Sequence, residues 1–109
     1  MAKKTNKNLV FDKTSVNGLI LFSIYSVLSN NEICTFDRLI KECFTLFPEV
    51  FGFARYPIWP DSRKLDRPLR SLRKVKLIKG DPKTEFFLTK EGKEKSQEIA
   101  KTLKQGRLL

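Results

Sequence analysis

The stretch DSRKLDRPLRSLRKVKLIKGDPKTEFFL, residues 61–88, constrains the fold more than any other part of the chain. Leu65, Leu69, Leu72 and Val75 recur close to i, i+4, i+7 and i+10, the spacing of one helix face turned toward a core. Arg63, Arg67, Arg70 and Lys74 recur on another face, with Lys64, Arg73 and Lys76 beside them. A helix carrying both stripes has to dock on one side and stay open on the other. Positive charge is then displayed on a rigid surface. Beyond the helix, Leu77–Lys79 and Glu85–Leu88 flank Gly80-Asp81-Pro82-Lys83-Thr84, which predicts a hairpin.

Pro68 gives this helix alternative starts. Asp61 after Pro60 is a good N-cap, but Pro68 then falls mid-helix and forfeits a hydrogen bond to Lys64. With Asp66 as the cap, Pro68 lies in the first turn, where its missing N–H costs little. An entry turn at 62–65 bending into a reading segment from Arg67 to Lys76 satisfies both.

Charge is concentrated on the same stretch. Residues 61–79 hold eight basic side chains against Asp61 and Asp66, a local excess of +6 within a net charge of +10. Residues 14–60 sum to −1. A patch of this kind favours polyanions and says nothing by itself about fold. At 109 residues the chain is long enough for one core and too short for two. The expected division is a basic flexible arm over 1–13, a folded domain over 14–104 and a C-terminal tail over 105–109.

Thr14 or Ser15 can cap a first helix running to about Ser29, with Val16, Ile20, Ile24 and Val27 as its core stripe. Leu19, Leu21, Phe22, Tyr25 and Leu28 point elsewhere, so the helix is apolar nearly all round. It is therefore either a central helix or a subunit contact, and the second alternative predicts a homodimer through the first and/or last helix. Ile33–Thr35 fits a short strand. Thr35 then caps a second helix whose Phe36, Leu39, Ile40, Cys43, Phe44 and Phe47 share a face, ended by Pro48. Residues 48–60, PEVFGFARYPIWP, form an aromatic-rich connector with a helical turn near Glu49–Phe51. Its aromatics could stack on bases, but filling the domain core or a partner surface is the commoner use, core packing above all. Thr89 caps a last helix, about Lys90 to Lys104.

Catalysis finds little footing. The chain has no histidine, so Ser-His and Cys-His pairs are excluded, and there is no glycine-rich phosphate loop. Cys34 and Cys43 lie nine apart, without the spacing of a zinc site or disulfide scaffold, and read as buried thiols in a reducing compartment. No metal or cofactor is expected. The apolar run Leu19–Leu28 is too short to span a bilayer, which points to a cytoplasmic protein.

The order of elements, with the words LRSLRKVKLIKG and FFLTKEGKEKSQEI, resembles the winged helix-turn-helix superfamily over roughly residues 14–104. In many PadR- and MarR-like regulators a recognition helix ends in a Leu-x-x-Leu-x-x-x-x-Leu-Ile pattern, here Leu69, Leu72, Leu77 and Ile78. A Leu-Thr-x-x-Gly entry into the last helix follows the wing, here Leu88, Thr89 and Gly92. Two features depart from the pattern: a connector of about a dozen residues where a tight turn has three or four, and Pro68 in the recognition helix. The resemblance implies an α+β domain with a three-helix core, an antiparallel wing of two or three strands and a C-terminal helix. It further implies binding of double-stranded DNA by a small dimeric transcriptional regulator. Arg63, Arg67, Arg70 and Lys74 would face the major groove or its rims. Lys64, Arg73 and Lys76 would grip backbone, and Lys79 and Lys83 would lie on the wing. The alternatives are a module that binds nucleic acid without sequence preference and a winged-helix module for protein interaction within a larger complex.

Overall fold

A computed structural model describes residues 15–108 apart from Pro57, with side chains as far as Leu103. The arm expected over 1–13 lies outside the described residues. The elements are α1 (Val16–Ser29), α2 (Phe36–Leu46), α3 (Pro48–Phe51), α4 (Arg63–Lys74), β1 (Ile78–Gly80), β2 (Phe86–Leu88) and α5 (Lys90–Leu108). This is an α+β domain with one antiparallel two-stranded sheet among the described residues. The segment expected as a tail is helical as far as Leu108.

Helix α1 is the hub. Ser15 caps it, accepting a hydrogen bond from the Gly18 N–H at 3.3 Å. It ends where Asn31 takes a left-handed φ of 61° and the Glu32 N–H reaches back to the Val27 carbonyl at 3.3 Å. This is a Schellman closure on a residue type that tolerates it. Leu19, Ile20, Leu21, Ile24 and Val27 are buried, whereas Val16, expected in the core, is exposed in the first turn. The helix packs against α2, α4 and α5, so it is central to the domain. Val16 is exposed, and Phe22, Tyr25 and Leu28 keep part of their surface in solvent.

Thr35 caps α2 through its hydroxyl, which accepts from the Arg38 N–H at 3.2 Å. The strand expected at Ile33–Thr35 does not form. Its place is marked by a single bond, from the Phe86 N–H to the Cys34 carbonyl at 2.8 Å, because Thr35 already turns the chain into the helix.

Helix α4 is continuous, without the break expected at Pro68. Asp61 lies one residue before the cap position, yet its carboxylate accepts from the Arg63 N–H at 3.2 Å, as a cap does. Ser62 holds that position without a side-chain bond, and tight i→i+3 bonds from Lys64 N–H to Asp61 and from Leu65 N–H to Ser62, both 3.1 Å, start the helix. An internal proline costs about 3 kcal/mol. Leu65, Leu69 and Leu72 are all buried, and each contributes roughly 1.5–3 kcal/mol, so the buried stripe outweighs the proline. The helix stops at Lys74, two residues earlier than expected. Lys76 takes φ 61°, its N–H bonds the Arg73 carbonyl, and the Leu77 N–H bonds the Leu72 carbonyl, each at 3.0 Å. Val75 thereby becomes the cap residue and is 60% exposed rather than part of the core stripe.

The hairpin pairs Ile78 with Leu88, Lys79 with Phe87 and Gly80 with Phe86. Gly80 has φ +100°, and a Cβ there would lie 1.9 Å from the Glu85 carbonyl oxygen, so the turn requires glycine. Ile78 and Phe86 face the core while Lys79 and Phe87 face outward. Thr89 then joins three elements. Its hydroxyl accepts from the Gly92 N–H at 3.0 Å, capping α5, and sits 2.8 Å from the Lys76 carbonyl and 3.1 Å from that of Leu77. Gly92 lets α5 press against the end of α4, since a Cβ would stand 1.9 Å from the Leu77 oxygen. These contacts give the Leu-Thr-x-x-Gly word a physical meaning: it locks the hairpin to both helices.

Candidate nucleic-acid interface

The buried stripe of α4 decides which charges remain outside. With Leu65, Leu69 and Leu72 turned inward, Arg67, Arg70 and Lys74 are exposed on the opposite side. Together with Ser71 and Arg73 they line a shallow, open depression. Arg73 is half-buried and its Nη1 donates to the Gly80 carbonyl at 3.3 Å, tying the helix to the hairpin while leaving its other donors available. Lys76, Lys79 and Lys83 are exposed on the hairpin side. In the turn, the Asp81 carboxylate accepts from the Lys83 N–H at 2.8 Å and the Thr84 N–H at 3.1 Å, which fixes where Lys83 leaves the backbone.

None of Arg67, Arg70, Arg73, Lys74, Lys76, Lys79 and Lys83 takes part in an ion pair among the described residues; those pairs involve Arg38 and Arg63. Asp66, on the same helix, is exposed and reaches none of them. Seven cations thus face solvent or backbone carbonyls without a carboxylate in ion-pair contact among the described residues. Charge of this kind can bind phosphates at little desolvation cost.

Two expected site residues have other work. The Lys64 ammonium donates to the Val50 carbonyl at 3.0 Å and the Gly52 carbonyl at 2.8 Å, stapling the connector to α4. Two of its three donors are therefore occupied within the fold. Arg63 approaches Asp61 Oδ1 at 3.3 Å and places its guanidinium carbon 5.8 Å from the centre of the Phe53 ring. It remains exposed, at the edge of the connector.

The connector itself holds what periodicity could not find. Phe51 is buried, as expected, but Tyr56, Ile58 and Trp59 are 59%, 76% and 57% exposed. Gly52 bridges Pro60, the Phe53 N–H bonds the Trp59 carbonyl at 2.9 Å and the Asp61 N–H bonds the Phe51 carbonyl at 2.7 Å, so the segment is pinched at its base. An aromatic placed beyond such a pinch has no core within reach. The expectation of core packing holds for Phe51 and fails for Tyr56 and Trp59. Clustered Pro, Gly and aromatic residues signalled an irregular segment, but no spacing rule says which ring turns inward.

Around α2, one group of charges is paired inside the fold. Arg38 pairs with Glu32 and Glu42, both at 2.8 Å, and Glu42 also accepts from the Ser26 hydroxyl at 2.6 Å. The hydrogen bond from Arg38, then its charge, hold the Glu32 carboxyl below the usual range, while the same bonds raise the arginine. Burial pushes the Cys34 and Cys43 thiols up to about 12, and among the described residues no group of His, Cys, Asp and Glu is arranged to hold a metal ion. Among the described residues no helix is long and apolar enough to cross a membrane. No protein-family model matches the sequence, and no curated protein or solved structure matches the chain.

Proposed function

We propose that this chain is a DNA-binding module of winged-helix layout. In this reading α1, α2 and α4 are the three-helix core, β1 and β2 the wing, and α5 the C-terminal helix. Helix α4 enters the major groove, where an arginine can bond a guanine edge through both nitrogens, and the hairpin lysines lie along the adjacent backbone. One observation carries the proposal: Arg67, Arg70 and Lys74 project from a docked helix and make no ion pair among the described residues. Transcriptional control by a dimer is the fuller form of the reading, in which two copies of α4 occupy half-sites about one DNA turn apart. The copies would meet through α1 and/or α5, the first and last helices, both of which keep surface in solvent.

The test is selection of bound fragments from a random duplex pool by the purified protein. Enrichment of one roughly palindromic motif is the result expected of a dimeric regulator. Retention without enrichment leaves a duplex binder of low sequence preference, and absence of retention sinks both forms. Arg67→Glu combined with Arg70→Glu should abolish retention, since neither side chain holds the fold together. If binding survives that pair, the surface is wrong.

A further inference from the structure

We infer that the exposed aromatic cluster of the connector is a stacking site for unpaired DNA bases, so that the protein prefers duplex next to a single-stranded segment over continuous duplex. The inference rests on the DNA-binding reading and extends it along the same helix. Tyr56 and Trp59 stack on each other with ring centroids 5.4 Å apart and planes at 27°, yet each is more than half exposed. Each ring therefore spends one face on its neighbour and keeps surface open to solvent. With Phe53, Arg55 and Arg63 they border a cleft of about 480 Å³. That space accommodates a planar base.

The charge around the cleft favours this occupant over an apolar protein segment. Arg55 and Arg63 stand at its rim, and its one acidic residue, Asp61, is buried and already accepts from the Arg63 backbone N–H at 3.2 Å. Arg63 and Arg67 are one helical turn apart, so the cleft opens onto the end of the unpaired basic face. A strand whose phosphates follow Arg70, Arg67 and Arg63 delivers its next base to the rings. Aromatic faces beside a track of cations are the recurring chemistry of single-strand binding, tolerant of sequence because every base has a π-face.

Trp59 is the only tryptophan in the chain, which makes its fluorescence a direct readout of the site. The experiment compares the full chain on a blunt duplex and on the same duplex carrying a tail of about six thymidines, following affinity by anisotropy and stacking by Trp59 emission. The tailed duplex should bind about tenfold more tightly and quench the emission, while the blunt one leaves it nearly unchanged. Trp59→Ala should erase the preference for the tail and leave blunt-duplex affinity as it was. Trp59→Leu, which keeps an apolar side chain, should behave like the alanine variant if stacking is the cause. Equal affinity for the two duplexes with unquenched emission overturns the stacking assignment and leaves duplex binding in place. Failure to bind either DNA overturns duplex binding and this inference together.

Discussion

Helices α2 and α4 are both amphipathic and both lay a leucine-containing stripe on the core, yet they treat their charges in opposite ways. On α2, Arg38 is held between Glu32 and Glu42, and Glu42 is bonded again by Ser26 from α1. Every strong charge in that network is answered inside the fold. On α4, Arg67, Arg70 and Lys74 have no acidic partner among the described residues, and Arg73 meets only a carbonyl. The first arrangement stabilises the domain and offers nothing to a ligand. The second contributes little to the fold and leaves cations free for phosphates. Total charge does not separate these cases; the distribution of carboxylates does.

The comparison makes the two helices respond to mutation in opposite currencies. Reversing Arg67 and Arg70 together should weaken duplex binding by at least about a hundredfold and lower the steepness of its salt dependence by roughly 2. The same variant should unfold within about 0.5 kcal/mol of the parent in denaturant titrations. A large loss of stability would break the contrast. Arg38→Ala should do the reverse, costing about 2 kcal/mol because Glu42 is left buried with its partner gone, while duplex affinity stays near that of the parent.

Smaller effects sharpen the boundary between the two roles. Lys76 is a non-glycine residue at φ 61°, where glycine fits better. Lys76→Gly should relieve strain and raise stability by about 0.5–1 kcal/mol, yet weaken DNA binding by the loss of one cation beside the helix end. Improved stability together with improved binding would remove Lys76 from the interface. The smallest effect expected is at acid pH. Glu32 has its carboxyl lowered from 4.5 by the bond from Arg38, so its contribution is present above the unfolded value and is lost as pH falls through the folded one. Glu32→Gln should therefore flatten the stability profile slightly below about pH 4.5 and leave it unchanged on the alkaline side.

Much of the scaffold was legible in the chain because it rests on local rules. The hydrophobic period located α1, α2 and α4, Ser15, Thr35 and Thr89 marked helix starts, and Gly80 with Asp81 marked the turn. The departures arise where one contact overrides another preference, distant at Pro68 and local at the Thr35 cap. Pro68 argued for a break, but three buried leucines hold the helix through it. Ile33–Thr35 looked like a strand, but the cap at Thr35 leaves it one bond to β2. Lys64 sat among the basic residues of the site, and only the fold shows that carbonyls of Val50 and Gly52 take two of its donors. Gly92 was recognised within a word, and only the approach of the Leu77 carbonyl explains why that word needs it.

The sequence by itself determined that a helix between residues 61 and 76 would carry leucines on one face and an unusual density of arginine and lysine on another, because side-chain identity and a period of 3.6 fix both stripes at once. Only the tertiary structure decided which of those cations are free. A guanidinium is available or consumed according to whether another element brings an oxygen within about 3 Å, and that is a property of packing. By the same rule the connector turned Phe51 inward and left Tyr56 and Trp59 outside, since the pinch between Gly52 and Pro60 keeps them from the core.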